Sequence, residues 1–127
     1  MKVIIAGSRD VNDPRLLEQA IADSGFVITK VVSGGCRGVD RLGEQWAISH
    51  GVPVQPFPAA WSNVDAEGAV VRYRRDGSAY NVLAGFWRNQ EMADYADGLI
   101  AIRRHGSTGT TDMVQRMQHK PSHVVDV

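Results

Sequence analysis

Apolar runs and amphipathic stretches alternate along the chain. Residues 2–6 form a short apolar run that ends in Gly7-Ser8-Arg9-Asp10, a strand meeting a turn. Asp13-Pro14 then offers an N-cap and a proline at the first helical position. Leu16, Leu17, Ala20 and Ile21 recur at helical spacing as far as Gly25. The β-branched run Val27-Ile28-Thr29-Lys30-Val31-Val32 predicts a second strand, and Val39, Leu42, Gly43, Trp46 and Ala47 predict a second helix that Gly51 stops. Between them lies the glycine turn Ser33-Gly34-Gly35-Cys36-Arg37-Gly38-Val39-Asp40. Val52-Pro53-Val54-Gln55-Pro56-Phe57 is a third strand, and its two prolines put it at a sheet edge. Asp76-Gly77 between the β-prone residues 70–75 and 78–82 is a hairpin signal. The surrounding residues, about 62–85, read as an inserted arm or else as a mobile charged loop. A helix over about 86–95, with Met92 and Ala93 on one side, leads to the strand Gly98-Leu99-Ile100-Ala101-Ile102. The last helix has Met113, Val114 and Met117 inward and is broken by Pro121, and residues 123–127 close the sheet.

Strands alternating with helices imply a parallel sheet covered on both faces. The fold class expected is α/β, a Rossmann-like three-layer sandwich. It has a mainly parallel five-stranded sheet plus an inserted β-hairpin arm, in one domain over residues 1–127. Right-handed crossovers bring every strand-to-helix loop to one edge of such a sheet. The loops at residues 7–10, 33–40 and 103–112 should therefore converge.

Composition narrows the function classes. A chain of 127 residues, 43% of them apolar, can bury a core of its own. No apolar run approaches a membrane span, and the first seven residues are too soon broken to be a signal peptide. One cysteine excludes an intrachain disulfide and accords with a reducing cytoplasm. Fourteen basic and 14 acidic residues balance to zero, which argues against broad nucleic-acid binding but leaves room for a local basic patch.

The expected loops are rich in glycine, hydroxyls and arginine: Gly7-Ser8-Arg9, the Ser33 to Asp40 turn, and Gly106-Ser107-Thr108-Gly109-Thr110. Backbone N–H groups at a helix N-terminus favour an anion, helped by the helix dipole. Ser33, Gly34, Gly35, Arg37 and Gly38 are on this ground candidate phosphate ligands, although an ordinary strained turn explains the glycines equally well. Three such junctions at one edge favour a phosphorylated, nucleotide-like ligand. No Gly-Lys-Ser/Thr and no GxGxxG after the first strand is present, so a Walker-type hydrolase is disfavoured.

The order of the motifs carries a resemblance. Gly7-Ser8-Arg9, the stretch from Ser33 to Leu42, Arg88-Asn89-Gln90-Glu91-Met92-Ala93 with residues 95–101, and Gly109-Thr110-Thr111-Asp112-Met113 occur in this order. Together they resemble the YspA-like branch of the SLOG superfamily, named for its Smf/DprA-type and Lonely Guy-type members. The resemblance covers nearly the whole chain except the arm. It implies a Rossmann-like sheet, a pocket for a nucleotide or nucleotide derivative, and pairing into a homodimer. In the Lonely Guy enzymes the activity is removal of a base from a nucleoside 5′-monophosphate, carried by an arginine and a glutamate. Arg88 matches the arginine. The family's Gly-Thr-x-x-Glu pattern is broken, because Met113 stands at the glutamate position.

That departure leaves binding intact and puts hydrolysis in question. Cleaving a ribosyl bond builds positive charge on the sugar, so a carboxylate near the ring helps. Asp40, Glu91 and Asp112 are the candidates, each with an alternative as a helix-start or surface charge. Arg9, Arg37 and Arg88 are the candidate phosphate partners. The four histidines show no metal spacing, and no metal or cofactor is called for. Trp61 and Trp87 could stack on a base or be buried under the arm. Arg72, Arg74 and Arg75 make a short basic patch that could touch nucleic acid or a partner. The leading expectation is a cytoplasmic nucleotide-binding domain acting as sensor, carrier or sequestering protein. The alternatives are an N-glycosidase of the Lonely Guy type and a single-stranded-DNA-binding module like the Smf/DprA relatives, the last disfavoured by the neutral charge.

Overall fold

The computed structural model describes residues 1–127. The elements follow in the order β1 (Lys2–Gly7), α1 (Pro14–Ser24), β2 (Lys30–Ser33), α2 (Val39–Ser49), β3 (Val54–Pro56), β4 (Val71–Tyr73), β5 (Ala79–Asn81), α3 (Ala84–Tyr95), β6 (Gly98–Arg103), α4 (Thr108–Arg116) and β7 (Ser122–Asp126). Five strands make one parallel sheet in the order β3-β2-β1-β6-β7. The short strands β4 and β5 pair only with each other, antiparallel, with Arg72 opposite Tyr80. The Rossmann-like α/β sheet with an added hairpin is thus what the chain forms, and the proline-bearing strand β3 does lie at an edge.

Alternation along the strands divides the core into two layers. Val3, Ile5, Ile100 and Ile102 face one way and pack with Leu17 and Ala20 of α1 and Val39, Leu42 and Ala47 of α2. Ile4, Val32, Leu99 and Ala101 face the other way and pack with Met92 and Ala93 of α3 and Met113 and Met117 of α4. Three unbranched methionines fill the space between two helices and a sheet face, a role their flexible thioethers suit.

Local chemistry sets the boundaries. Asp13 caps α1 by accepting a hydrogen bond from the Arg15 N–H at 3.0 Å, and Gly25 ends the helix in the left-handed region at φ 69°. The second strand starts later than its apolar run implies. Lys30 is the partner of Lys2, so residues before it have no strand of β1 to pair with, and Val27 stands 74% exposed. The structure orders residues 70–82 as a hairpin, held to α3 through fully buried Asn81. Its Oδ1 accepts from the Val70 and Leu83 N–H groups at 3.4 and 3.1 Å.

The order of the strands determines where a ligand fits. From β1 the chain steps outward to β2 and β3, then crosses back beyond β1 to β6 and on to β7. The connections leaving β1 and β6 run to opposite faces and open a crevice at the carboxyl ends of these two strands.

Candidate functional site

A cleft of about 480 Å³ occupies that crevice, and only four of its 19 lining residues are hydrophobic. It is bounded by the loop after β1, by Gly34, Cys36 and Asp40 after β2, by Arg88, Asn89 and Met92 of α3, and by residues 104–110 with Met113 of α4. The three glycine-rich junctions therefore do converge.

The α4 side is open to an anion. Ser107 is the N-cap, but its hydroxyl donates to Thr110 Oγ1 at 2.9 Å and accepts from no N–H of the helix backbone. The first-turn N–H groups have no acceptor within their helix, and no acidic residue lies in that turn. Arg9, Arg104 and His105 line the same side. The Arg104 backbone N–H donates to the buried Ser8 Oγ at 2.8 Å, which ties the β6 loop to the β1 loop. Arg104 Nε also reaches Asp10 Oδ2 at 3.1 Å, an exposed pair and so a weak one.

The glycine turn after β2 is different, because three of its donors are already engaged. The Gly35 N–H donates to Ser33 Oγ at 3.1 Å, the Cys36 N–H to Asp40 Oδ2 at 3.2 Å, and the Val39 N–H to the Ser8 carbonyl at 3.4 Å. The turn is an anion cradle whose occupant is the chain's own Asp40. Burial pushes the Asp40 pKa up from 3.8 to about 6. The Cys36 N–H and the Arg88 charge oppose that rise, and Glu44 adds to it. Ser33 Oγ donates to Glu44 Oε2 at 2.7 Å and so sits beneath the turn, wholly buried.

Arg88 clamps this corner. Its Nη1 donates to the Gly34 carbonyl at 2.8 Å and the Phe57 carbonyl at 3.3 Å, and its Nε donates to Asn89 Oδ1 at 3.2 Å. A Cβ on Gly34 would stand 2.6 Å from Arg88 Nη1 and 3.0 Å from Asp40 Oδ2, so only glycine lets these two groups approach the same point. Buried Asn89 donates through Nδ2 to the Gly109 carbonyl at 3.3 Å and to Asp112 Oδ2 at 3.0 Å. Asp112 also accepts from Arg116 Nε at 2.8 Å. It faces a shallower depression beside Phe86 and Gln115 and not the main cleft.

Of the candidates read from sequence, Gly7, Ser8, Arg9, Gly34, Asp40, Arg88, Gly106, Ser107, Thr108, Gly109 and Thr110 line the cleft. Ser33, Gly35, Arg37, Gly38, Glu91 and Asp112 do not. Gly38 is packed against the backbone of Ser8 and Arg9, and Arg37 and Glu91 are exposed. The inward stripe of α3 is Gly85, Arg88, Asn89 and Met92, at the i, i+3, i+4, i+7 spacing that leaves Glu91 outside. Asn89, Arg104 and His105 are site residues that sequence reasoning did not single out. The helical stripe through Arg88 is the available signal for Asn89, and for Arg104 and His105 the signal is their place in the converging 103–112 loop. Met113, where the Lonely Guy pattern has glutamate, is 2% exposed and brings a thioether to the cleft wall.

The class defined by this fold and cleft is a Rossmann-like domain with a polar site at its topological switch point. Residues 1–63 match the model of the YspA, cpYpsA-related SLOG family. The SLOG resemblance carried by the motifs is thereby shown over those residues. A solved structure of DNA processing protein A (DprA) from Streptococcus pneumoniae superposes with a TM-score of 0.63 at 18% identity, covering 98% of this chain and 49% of that one. The chain thus spans about half the length of that protein, and at this identity the likeness is one of fold. No curated protein matches the chain. No helix is long and apolar enough to cross a membrane.

Proposed function

We propose that the cleft binds a nucleotide or nucleotide derivative, a nucleoside monophosphate or a larger ADP-ribose-like molecule. The observation that carries this reading is the polarity of a single cleft. Its α4 side presents unfilled N–H donors with Arg9 and Arg104, and its α2 side presents the buried carboxyl of Asp40 beside Arg88. The first side suits a phosphate and the second suits sugar hydroxyls or a base N–H. A volume of about 480 Å³ lies within the range of small-molecule sites. Thermal-shift and calorimetric titration with AMP, ADP-ribose, adenosine and inorganic phosphate tests it. AMP or ADP-ribose should stabilise the protein more than adenosine or phosphate alone. If no phosphorylated nucleoside raises Tm, the reading fails.

Asp40 favours a second reading, in which the bound nucleotide is cleaved at its N-glycosidic bond. A carboxyl titrating near neutrality in a cleft is suited to proton transfer and to opposing charge on the sugar. Asp112 is less suited, because Asn89 and Arg116 already occupy it. Chromatography for free base after incubation with nucleoside 5′-monophosphates tests this reading. Base release that persists in Asp40→Asn would remove Asp40 from the role. The same proposal takes the protein as cytoplasmic, in accord with its one free, half-buried cysteine, and as a homodimer, in accord with the family resemblance. Light scattering at micromolar concentration checks the dimer.

A further inference from the structure

The loop Gly106-Ser107-Thr108 has a cavity on each side. One is the cleft. The other is the depression of about 410 Å³ that also takes in Phe86, Asp112 and Gln115. All three loop residues line both, and a Cβ on Gly106 would meet nothing within 4 Å, so the space over the loop is open. Three residues span at most about 10 Å, so one small molecule held on the loop through phosphate can reach into both.

Two features of the depression are not explained by packing. Phe86 is half-buried, yet it belongs to neither core layer, and its ring lines the depression. Asp112 lies on the outward stripe of α4, in phase with Thr108, Thr111 and Gln115 and opposite Met113 and Met117. Its side chain is nevertheless only 19% exposed. The bonds it accepts, from Asn89 Nδ2 and Arg116 Nε, both go to Oδ2. Oδ1 accepts from no group of the protein and is left for a donor on a ligand.

Charge assigns the ends of such a molecule. Arg9, Arg104 and His105 line the cleft and not the depression, whose one charged residue is Asp112. Phosphate therefore belongs on the cleft side of the loop, and the depression suits an uncharged ring that carries N–H or O–H donors. Phe86 offers a face on which a base can stack, Asp112 Oδ1 an acceptor, and the Gln115 amide both a donor and an acceptor. A monophosphate held in the cleft would leave all three without a role.

We propose that the depression is a second nucleoside subsite, so that the ligand is a nucleoside diphosphate whose distal phosphate carries a second nucleoside. This rests on the reading of the cleft as a nucleotide site. The first nucleoside lies in the cleft, the diphosphate over residues 106–108, and the second base against Phe86. The test is calorimetric titration of the full chain with AMP, ADP, ADP-ribose and diadenosine diphosphate. Diadenosine diphosphate should bind about 5-fold or more tighter than ADP, the gain of stacking one base on an aromatic ring. ADP-ribose, whose second ring has no aromatic face, should fall between them. Phe86→Leu should abolish the preference for diadenosine diphosphate and leave AMP affinity unchanged, and Phe86→Tyr should keep the preference. Gln115→Ala, at an exposed position where α4 does not depend on the side chain, should weaken diadenosine diphosphate and not AMP. The proposal is overturned if ADP binds as tightly as diadenosine diphosphate, or if Phe86→Leu weakens AMP equally. It is overturned as well if ADP-ribose matches diadenosine diphosphate, since a sugar and not a base would then fill the depression. AMP binding with no gain from the second nucleoside leaves the cleft reading standing and sinks this proposal alone. No binding of any of the four sinks both.

Discussion

Asp40→Asn should make the protein more stable at neutral pH. Burial lifts this carboxyl from 3.8 to about 6, so the folded state holds the proton more tightly than the unfolded chain does. Ionising it therefore costs folding free energy. That cost appears as pH rises from about 4 to about 6 and is complete above about 6. Two pKa units correspond to about 3 kcal/mol. The asparagine oxygen can still accept from the Cys36 N–H, but the second acceptor oxygen is lost, at about 1 kcal/mol. The net gain is about 2 kcal/mol near pH 7.5, or about 7 °C in Tm for a chain of this size. Near pH 3 the wild-type carboxyl is largely protonated in both states, and the gain should turn into a deficit of about 1 kcal/mol. Urea unfolding of both proteins across that range reads the difference directly, other carboxylates being common to both. A variant less stable than wild type near pH 7.5, or a difference flat with pH, would refute the reasoning. Glu44 and Arg88 are the charged groups that act on Asp40 and are unchanged in the variant.

Three further outcomes follow from the geometry. Arg88→Ala leaves the Gly34 and Phe57 carbonyls without their donor and should cost about 1–3 kcal/mol in urea unfolding, besides weakening any nucleotide binding. Arg88→Lys should recover only part of the loss, because an ammonium lacks the planar fork. Gly38→Ala puts a Cβ 2.3 Å from the Ser8 carbonyl at φ 82°, whereas Gly35→Ala meets nothing within 4 Å at φ 74°. The first should unfold at far lower denaturant than the second, which bears only the left-handed penalty of about 1–2 kcal/mol. Ser8→Ala removes the acceptor for the Arg104 N–H and should cost about 1 kcal/mol, seen as faster hydrogen exchange at Arg104.

Periodicity made the sheet legible. The alternation in β1 and β6 and the inward methionines of α4 sort into the two core layers of the folded chain. Asp76-Gly77 marked the hairpin, and the two prolines marked the edge. The start of β2 was not legible, since it depends on where β1 begins and not on the apolar run itself. At the site, loop convergence followed from topology, but the use of the donors did not. Glycine spacing cannot tell an empty cradle from one filled by Asp40, nor show that Arg88 answers to carbonyls 54 and 31 residues away. Asn89 and Glu91 differ only in helical phase, and a two-residue error in that phase exchanges a buried link for an exposed charge.

The pairing of β1 with β6 also governs when the site comes into being. Val3 meets Gly98 across 95 residues of chain, whereas β1, β2 and β3 are joined through much shorter segments. Closing that long loop is entropically slower than forming the N-terminal βαβ units. An intermediate holding only β1 to β3 would have the Asp40 turn but no α4 end and no opposite wall. The cleft is thus a product of the last large closure in folding. A molecule that spans its two ends binds only the chain in which that closure has occurred, and so slows its reopening.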